Sequence, residues 1–281
     1  MLTGYARRYA LKANVLDHPN GRSSHTVPTP RGGGLAAIGV LVVSLVGFVA
    51  WRLLSPGFAV FALATAAMAA LGWIDDKRGL SARIRLAIQF ACAASVLFLV
   101  RSWSLFDGLL GAAFLVAVLL FIVWMVNLYN FMDGIDGILG LQVATVSMSF
   151  MVLLVGASKF ELVPVYMALV GAMLGFLYWN WSPAKIFMGD VGSASLGFLL
   201  ATLAVWSAVH GWVSPISILI LHAAFIGDAT WTLCVRFARG QKVYQAHRSH
   251  FYQKLTQRGF SHARVATIFG VFNLVWLLPL A

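Results

Sequence analysis

Acidic residues are scarce in this sequence, and glutamate is almost missing: nine of 281 residues are Asp or Glu, and eight of those nine are Asp. Charge of either sign is thin, at 10%, while 60% of residues are hydrophobic and the mean hydropathy is +0.86. A soluble domain carries about 25% charge, so a soluble globular protein is excluded. Cysteine is limited to Cys92 and Cys234, both inside apolar runs, which suits neither a disulfide framework nor a metal cluster. The apolar runs also lack the alternation of a transmembrane β-barrel strand. The start, MLTGYARRYALKANVLDHPN, is too polar for a cleavable signal peptide. No internal repeat is evident, since FMDG at 131–134 and FMGD at 187–190 differ in order and in their flanks.

What is present is a series of continuous apolar runs. Lipid requires each spanning segment to satisfy its own backbone, which selects helices, and a span takes about 20 residues. The expectation is an all-α, polytopic integral-membrane helix bundle of about nine transmembrane helices, with residues 1–281 forming one domain. The spans fall near 34–54, 57–74, 86–103, 109–126, 138–156, 162–179, 194–210, 213–235 and 264–281. Net charge is +11, a balance that suits nucleic acid, but this hydropathy does not. The connecting segments 1–33, 75–85, 127–137, 180–193 and 236–264 hold 17 of the 20 Lys and Arg; the others hold Arg52, Arg101 and Lys159. The positive-inside rule assigns the first set to the cytoplasm. Asp17, Asp75, Asp76, Asp133, Asp136 and Asp190 fall in the same set, and Asp228 lies within the eighth span. Trp51, Trp103 and Trp212, near span ends, read as interface anchors.

Five of these segments bear chemistry. DHPNGRSSHTVPTPRGGG (17–34) is held out of helix by its prolines, its glycines permit close backbone approach, and Arg22 and Arg31 could hold phosphate. An ordinary surface loop has the same composition. DDKRGLSARIRLAIQ (75–89) begins with adjacent carboxylates, Asp75 and Asp76; Ser81 reads as a helix cap, placing Arg85 and Gln89 on one face. Two adjacent Asp can bind a divalent cation, or one can act as a base; a solvated charged turn looks alike. NLYNFMDGIDGILG (127–140) has no Lys or Arg, and Asn127, Asn130, Asp133 and Asp136 recur every three residues, a polar face if helical. Bare carboxylates beside lipid need a partner. Oxygen-only donors favour Mg²⁺ over Zn²⁺, and helix capping is the plainer alternative. NWSPAKIFMGDVGSASLGF (180–198) sets Asp190 between Gly189 and Gly192 ahead of a span, like an anion- or metal-binding turn or a capped helix start, with Lys185 as its cation. RFARGQKVYQAHRSHFYQKLTQRGFSHAR (236–264) has seven basic residues; His247 and His250 would share a helical face. His247, Arg248 and His250 suit phosphate, and the loop as a whole suits anionic headgroups. His210 and His222 stand alone and receive no role.

Taken in this order, DHPNGRSSHTVPTPRGGG, DDKRGLSARIRLAIQ, NFMDGIDG, FMGDVGS and HRSHFYQ resemble the polyprenyl-phosphate N-acetylhexosamine-1-phosphate transferases, which include the phospho-N-acetylmuramoyl-pentapeptide transferase. The first and last motifs look more like the sugar transferases that initiate O-antigen and teichoic-acid synthesis. The resemblance implies a bacterial inner-membrane enzyme with its site at the cytoplasmic face. It would transfer sugar phosphate from a UDP-N-acetylhexosamine to undecaprenyl phosphate, with Mg²⁺, releasing UMP. It implies Asp190 and Asn130 as metal ligands, and Asp75 and Asp76 as the family's paired aspartates. Either of the pair is a candidate base, though orienting the already ionised lipid phosphate is equally consistent. By the same resemblance Asp133 and Asp136 line the site. Arg85, Asn180, Lys185, His247, Arg248 and His250 lie near nucleotide and diphosphate, and Asp228 has a supporting role. The implied partners are the donor, the lipid acceptor and bilayer lipid, without nucleic acid; a homodimer stays open. The family has a full span before the DHPN loop, and here only its tail, residues 1–16, is seen. The rival class is a membrane transporter for Mg²⁺ or protons, suggested by Asp228 and the clustered acids.

Overall fold

The computed structural model describes residues 1–17, 19, 27–100, 108–242 and 247–281. Arg22, Arg101 and Trp103, each noted above, lie outside the described residues. Short helix α1 (Leu2–Lys12) leads to a two-residue antiparallel pairing of β1 (Leu16–Asp17) with β2 (Thr29–Pro30). The rest of the described chain is helical: α2 (Gly34–Ala50), α3 (Phe58–Arg78), α4 (Ala82–Val100), α5 (Gly108–Phe131), α6 (Ile138–Gly156), α7 (Val163–Asn180) and α8 (Asp190–Val209). Then come α9 (Pro215–Leu221), α10 (Ala223–Ala238), α11 (Phe251–Gln257) and α12 (His262–Phe272), which continues through a π-helical turn, Asn273–Leu277, into α13 (Leu278–Leu280).

Seven helical stretches are long and apolar enough to cross a membrane, an eighth is a broken pair, and α2 is a shorter apolar helix. The chain is a polytopic membrane helix bundle. The span limits shift by up to five residues, and three differences bear on the site, each for a local reason. Helix α3 runs on through Asp75 and Asp76 to Arg78 and ends at Gly79, whose φ of 65° stops it. Helix α5 ends at Phe131, so Asn127 and Asn130 are helical while Asp133 and Asp136 fall in the following turn; the three-residue polar face extends over the first two only. The eighth span is bent by 76° between α9 and α10. Its pivot, His222, is fully buried and hydrogen-bonded to Tyr129 of α5.

Helix α8 is the axis of the bundle. Every residue from Val191 to Ser207 is buried, against α2, α3 and α5. Lipid gives helices no hydrophobic reason to associate, so close packing of small residues does that work. VGSAS at the start of α8 provides them. Its hydroxyls at Ser195, Thr202 and Ser207 donate to carbonyls one turn back, which satisfies them without water.

Candidate active site

The polar ends of α3, α5, α8 and the β2–α2 segment meet at one end of the bundle. Backbone contacts fix the meeting. Gly33 and Gly34 donate to the carbonyls of Phe187 and Met188 at 2.8 and 2.9 Å, and Phe187 donates to Pro30 at 2.8 Å. A side chain on Gly34 would collide with the Gly192 backbone, so the PRGGG run is glycine because two main chains touch there. Gly189, at φ 76°, turns the chain into α8 at a conformation L side chains rarely adopt.

This scaffold places Arg31 between two carboxylates. Its Nε lies 2.9 Å from Asp76 Oδ1 and its Nη2 lies 2.8 Å from Asp190 Oδ1. Asp76 is almost wholly buried and also accepts the backbone N–H of Asp190 and Val191, at 3.1 and 3.2 Å. The anion at the start of α8 is thus the protein's own Asp76, supplied by α3, which satisfies two of the four unpaired N–H groups of a helix start. Asp75 accepts Leu80 N–H at 2.6 Å and pairs with Arg85 at 2.8 Å. Arg85 also approaches Asp190 Oδ2 at 3.9 Å. Ser81 caps α4 as expected, accepting Ile84 N–H at 3.4 Å. On that helix Gln89 accepts from Asn127 at 2.8 Å. Asn130 donates to Ser193, three residues past Asp190, at 3.0 Å.

Asp133 completes the cluster. Burial pushes its carboxyl well above the ordinary range; Arg31 opposes this, and Asp190, Asp76 and Asp136 add to it. Four acids (Asp75, Asp76, Asp133, Asp190) thus share two guanidiniums, Arg31 and Arg85. Asp136 is occupied elsewhere. It pairs with His262 at 3.2 Å and accepts Ala184 N–H at 3.2 Å; burial alone would raise its carboxyl, but these bonds hold it below the ordinary range.

A second unit abuts the first. Asp228 of α10 accepts the N–H of Phe251 and Tyr252 at 2.7 and 3.0 Å, capping α11, with His250 Nδ1 at 3.5 Å. His247 and His250 lie outside any helix, yet their ring centroids are 4.8 Å apart. Burial lowers His247 to about 4, aided by His250 and Arg236, so it is neutral at pH 7. The Tyr252 hydroxyl donates to the Phe131 carbonyl at 3.0 Å, joining this unit to the end of α5.

Of the expected residues, the structure brings Asp75, Asp76, Arg85, Asn130, Asp133 and Asp190 together. Asn180 is buried beneath the site, with its amide spent on Gly137 N–H and the Ile186 carbonyl, both at 2.9 Å. Lys185 is exposed, its ammonium 5.9 Å from the Trp179 ring, and among the described residues no ion pair joins it to the acids. The Arg248 carbonyl accepts from Gln257 at 2.9 Å.

The model of glycosyl transferase family 4 matches residues 58–208, which is α3 through α8 with the acid centre inside it. The chain belongs to that family. Curated relatives agree with the match. A "Probable undecaprenyl-phosphate N-acetylglucosaminyl 1-phosphate transferase" of Bacillus subtilis is 31% identical over 98% of this chain and 79% of its own length. A "Decaprenyl-phosphate N-acetylglucosaminephosphotransferase" of Mycobacterium tuberculosis is 31% identical over 95% of this chain and 75% of its own. A "Phospho-N-acetylmuramoyl-pentapeptide-transferase" of Wolbachia pipientis is 34% identical over 66% of this chain and 63% of its own.

In this family 4 chain, three site residues escaped the sequence reading. Arg31 appeared there as a phosphate group holder, not as the cation joining α3 to α8. Tyr252 and His262 were passed over, although each lies in or next to a motif that was singled out. The need of Asp133 and Asp136 for partners was legible, but nothing local named which residues of the distant segments would supply them.

Proposed function

We propose that this protein transfers an N-acetylhexosamine 1-phosphate from its UDP donor to undecaprenyl phosphate at the cytoplasmic side of a bacterial inner membrane, releasing UMP. The observation that carries the reading is the convergence of Asp75, Asp76, Asp133 and Asp190 on Arg31 and Arg85 at the ends of apolar helices. Family membership and the printed activities of the relatives support it. The sugar named for the Bacillus and Mycobacterium proteins makes UDP-N-acetylglucosamine the first donor to try.

In the reaction, a phosphate oxygen of the acceptor bonds to the phosphorus that carries the sugar. The bond from that phosphorus to the bridging oxygen breaks, and UMP departs with that oxygen. The acceptor phosphate is already ionised at pH 7, so no base is required. The bonds of Asp76 to Arg31 and to the start of α8 favour positioning as its task. The donor set fits Mg²⁺: among the described residues no three His, Cys, Asp or Glu close on one point, but Mg²⁺ needs only one or two carboxylates plus water and phosphate. Asp190 and Asn130 would hold it, and the crowding of four acids on two guanidiniums supplies the reason for a cation there. Bound there, it would supply Lewis-acid neutralisation of the diphosphate. Arg31 and Arg85, freed from some acid contact, would stabilise phosphate oxygens. Neutral His247 would meet phosphate as an N–H donor. A groove of about 390 Å³ between α1, α2 and Trp73, with Arg31 on its wall, gives the acid centre an apolar flank.

Transport of Mg²⁺ or protons leaned on Asp228 as an intramembrane acid, and that carboxylate is engaged as the cap of α11. The deciding experiment incubates purified protein with undecaprenyl phosphate, Mg²⁺ and a panel of UDP-N-acetylhexosamines, with mass detection of the lipid product and of UMP. UMP formed together with a lipid diphosphosugar is expected. Absence of UMP with every donor would defeat the reading.

A further inference from the structure

A second polar cluster lies in the body of the bundle, apart from the acids and histidines of the site. His222, at the pivot of the 76° bend, is fully buried, and its Nδ1 is 2.8 Å from the hydroxyl of Tyr129, also fully buried. A second tie runs from Gln142 of α6. Gln142 Oε1 accepts from Asn273 Nδ2 at 2.7 Å, and Asn273 donates also to Thr145 at 2.9 Å. Asn273 opens the π-helical turn that follows α12. The two breaks in helical regularity, at His222 and at Asn273, are therefore each tied by a buried hydrogen bond to α5 or α6.

The placement of the ties is informative. Between them run residues 223–272, which carry Asp228, His247, Arg248, His250, Tyr252 and His262. The ties end on Tyr129 and Gln142. Tyr129 adjoins Asn130, and Gln142 lies one turn into the helix that follows Asp133 and Asp136. A helix bend without proline or glycine at its pivot needs a side-chain cause, and unpaired polar groups in this setting are costly. Asp228 is six residues beyond the pivot, about 9 Å along the helix at 1.5 Å per residue. A rotation of about 10° at His222 would carry its carboxylate roughly 1.5 Å. Displacement of about 1 Å at a catalytic constellation is expensive in rate.

We propose that Tyr129 and His222, backed by Gln142 and Asn273, are positioning residues. They set the bend of the broken span and thereby hold the Asp228–His250–Tyr252 unit in register with the acid centre. The consequence for transfer rests on the reading above; the consequence for geometry does not.

The test uses native Cys234, which is exposed on α10, and an Arg83→Cys substitution on exposed Arg83 of α4. Both are spin-labelled in the full chain in lipid nanodiscs, and the distance distribution is read by pulsed electron resonance. Tyr129→Phe removes one oxygen and keeps the ring. It is expected to shift or broaden the distribution and to raise the donor KM about three- to tenfold, as loss of one interhelical hydrogen bond allows. The acceptor KM should not change. His222→Leu should behave likewise. His222→Asn, whose amide can stand where Nδ1 stood, should restore both. Wild-type distributions in Tyr129→Phe and His222→Leu would overturn the proposal whatever the activity. A shifted distribution with unchanged donor KM would overturn it too. If the wild-type chain releases no UMP, the transferase reading has failed and the distance measurement still decides the hinge.

Discussion

The acid centre and the histidine unit are held by different means. The acid centre has a main-chain clamp, Gly33 and Gly34 donating to the 187–188 backbone, beneath its side-chain bonds, with Asp76 on the first amides of α8 and Arg31 between two carboxylates. The histidine unit hangs on side chains, chiefly Asp228 capping α11 and the Tyr252 hydroxyl on the Phe131 carbonyl. Main-chain contact between packed helices leaves little room to move, whereas a cap and a hydroxyl hold a loop at modest energy. The first arrangement suits fixed charge that must stay in place through a reaction. The second suits a surface that shapes itself to a donor.

The largest test of this contrast is Asp190→Ala. Removing that carboxylate should cut UMP release at saturating donor by at least about a hundredfold, with normal membrane insertion. Wild-type turnover in this variant at limiting Mg²⁺ would break the assignment of the acid centre. Next is Asp228→Asn, which keeps the shape and weakens the cap. It should lower kcat/KM for donor by about tenfold and leave the acceptor KM alone; a loss confined to the acceptor would erase the distinction between the two regions.

His247 sharpens it in pH. Burial lowers its value from 6.5 to about 4, so it is neutral throughout pH 6–8 in the folded chain. A depressed histidine contributes stability that is full above 6.5 and is lost as pH falls from there toward 4. His247→Gln should flatten that limb of the melting profile and raise the donor KM without introducing a pH dependence between 7 and 8. A donor KM that follows a titration near neutrality in wild type but not in the variant would mean that His247 binds as a cation.

Asp136 bears on stability and not on turnover. Its folded value is depressed below 3.8, so its contribution is present above 3.8 and lost as pH falls below it. Asp136→Asn should cost about 2 kcal/mol at pH 7 and less at pH 3, read from melting temperature. Equal losses at both pH values would remove the Asp136–His262 contact from the account.

Much of the fold was legible in the chain. The limits of α6 follow the apolar run at 138–156 to the residue, because a Gly-bounded run long enough for lipid has no other way to satisfy its backbone. Ser81 was legible as a cap because the side-chain bond is local. The carboxylates of the centre were legible because charge beside apolar spans is rare enough to stand out. What escaped depended on partners far away in sequence. The three-residue spacing from Asn127 to Asp136 implied one helical face, but the helix stops at Phe131, where Tyr252, some 121 residues later, takes its carbonyl. His222 sits in a mostly apolar run, and nothing local announces that it will meet a tyrosine of α5 at a bend of the span.

Composition and the order of its segments decided that this is a bundle of membrane helices with acids and bases gathered toward one end, because hydropathy and local backbone chemistry act within a segment and can be read within it. Which acid meets which arginine was left to packing: Arg31 between Asp76 and Asp190, Asp136 on His262, Asp228 under α11. Each of those pairings joins groups 22 or more residues apart, and the free energy of a buried charge depends on which neighbours three-dimensional contact supplies, a quantity no stretch of chain contains alone.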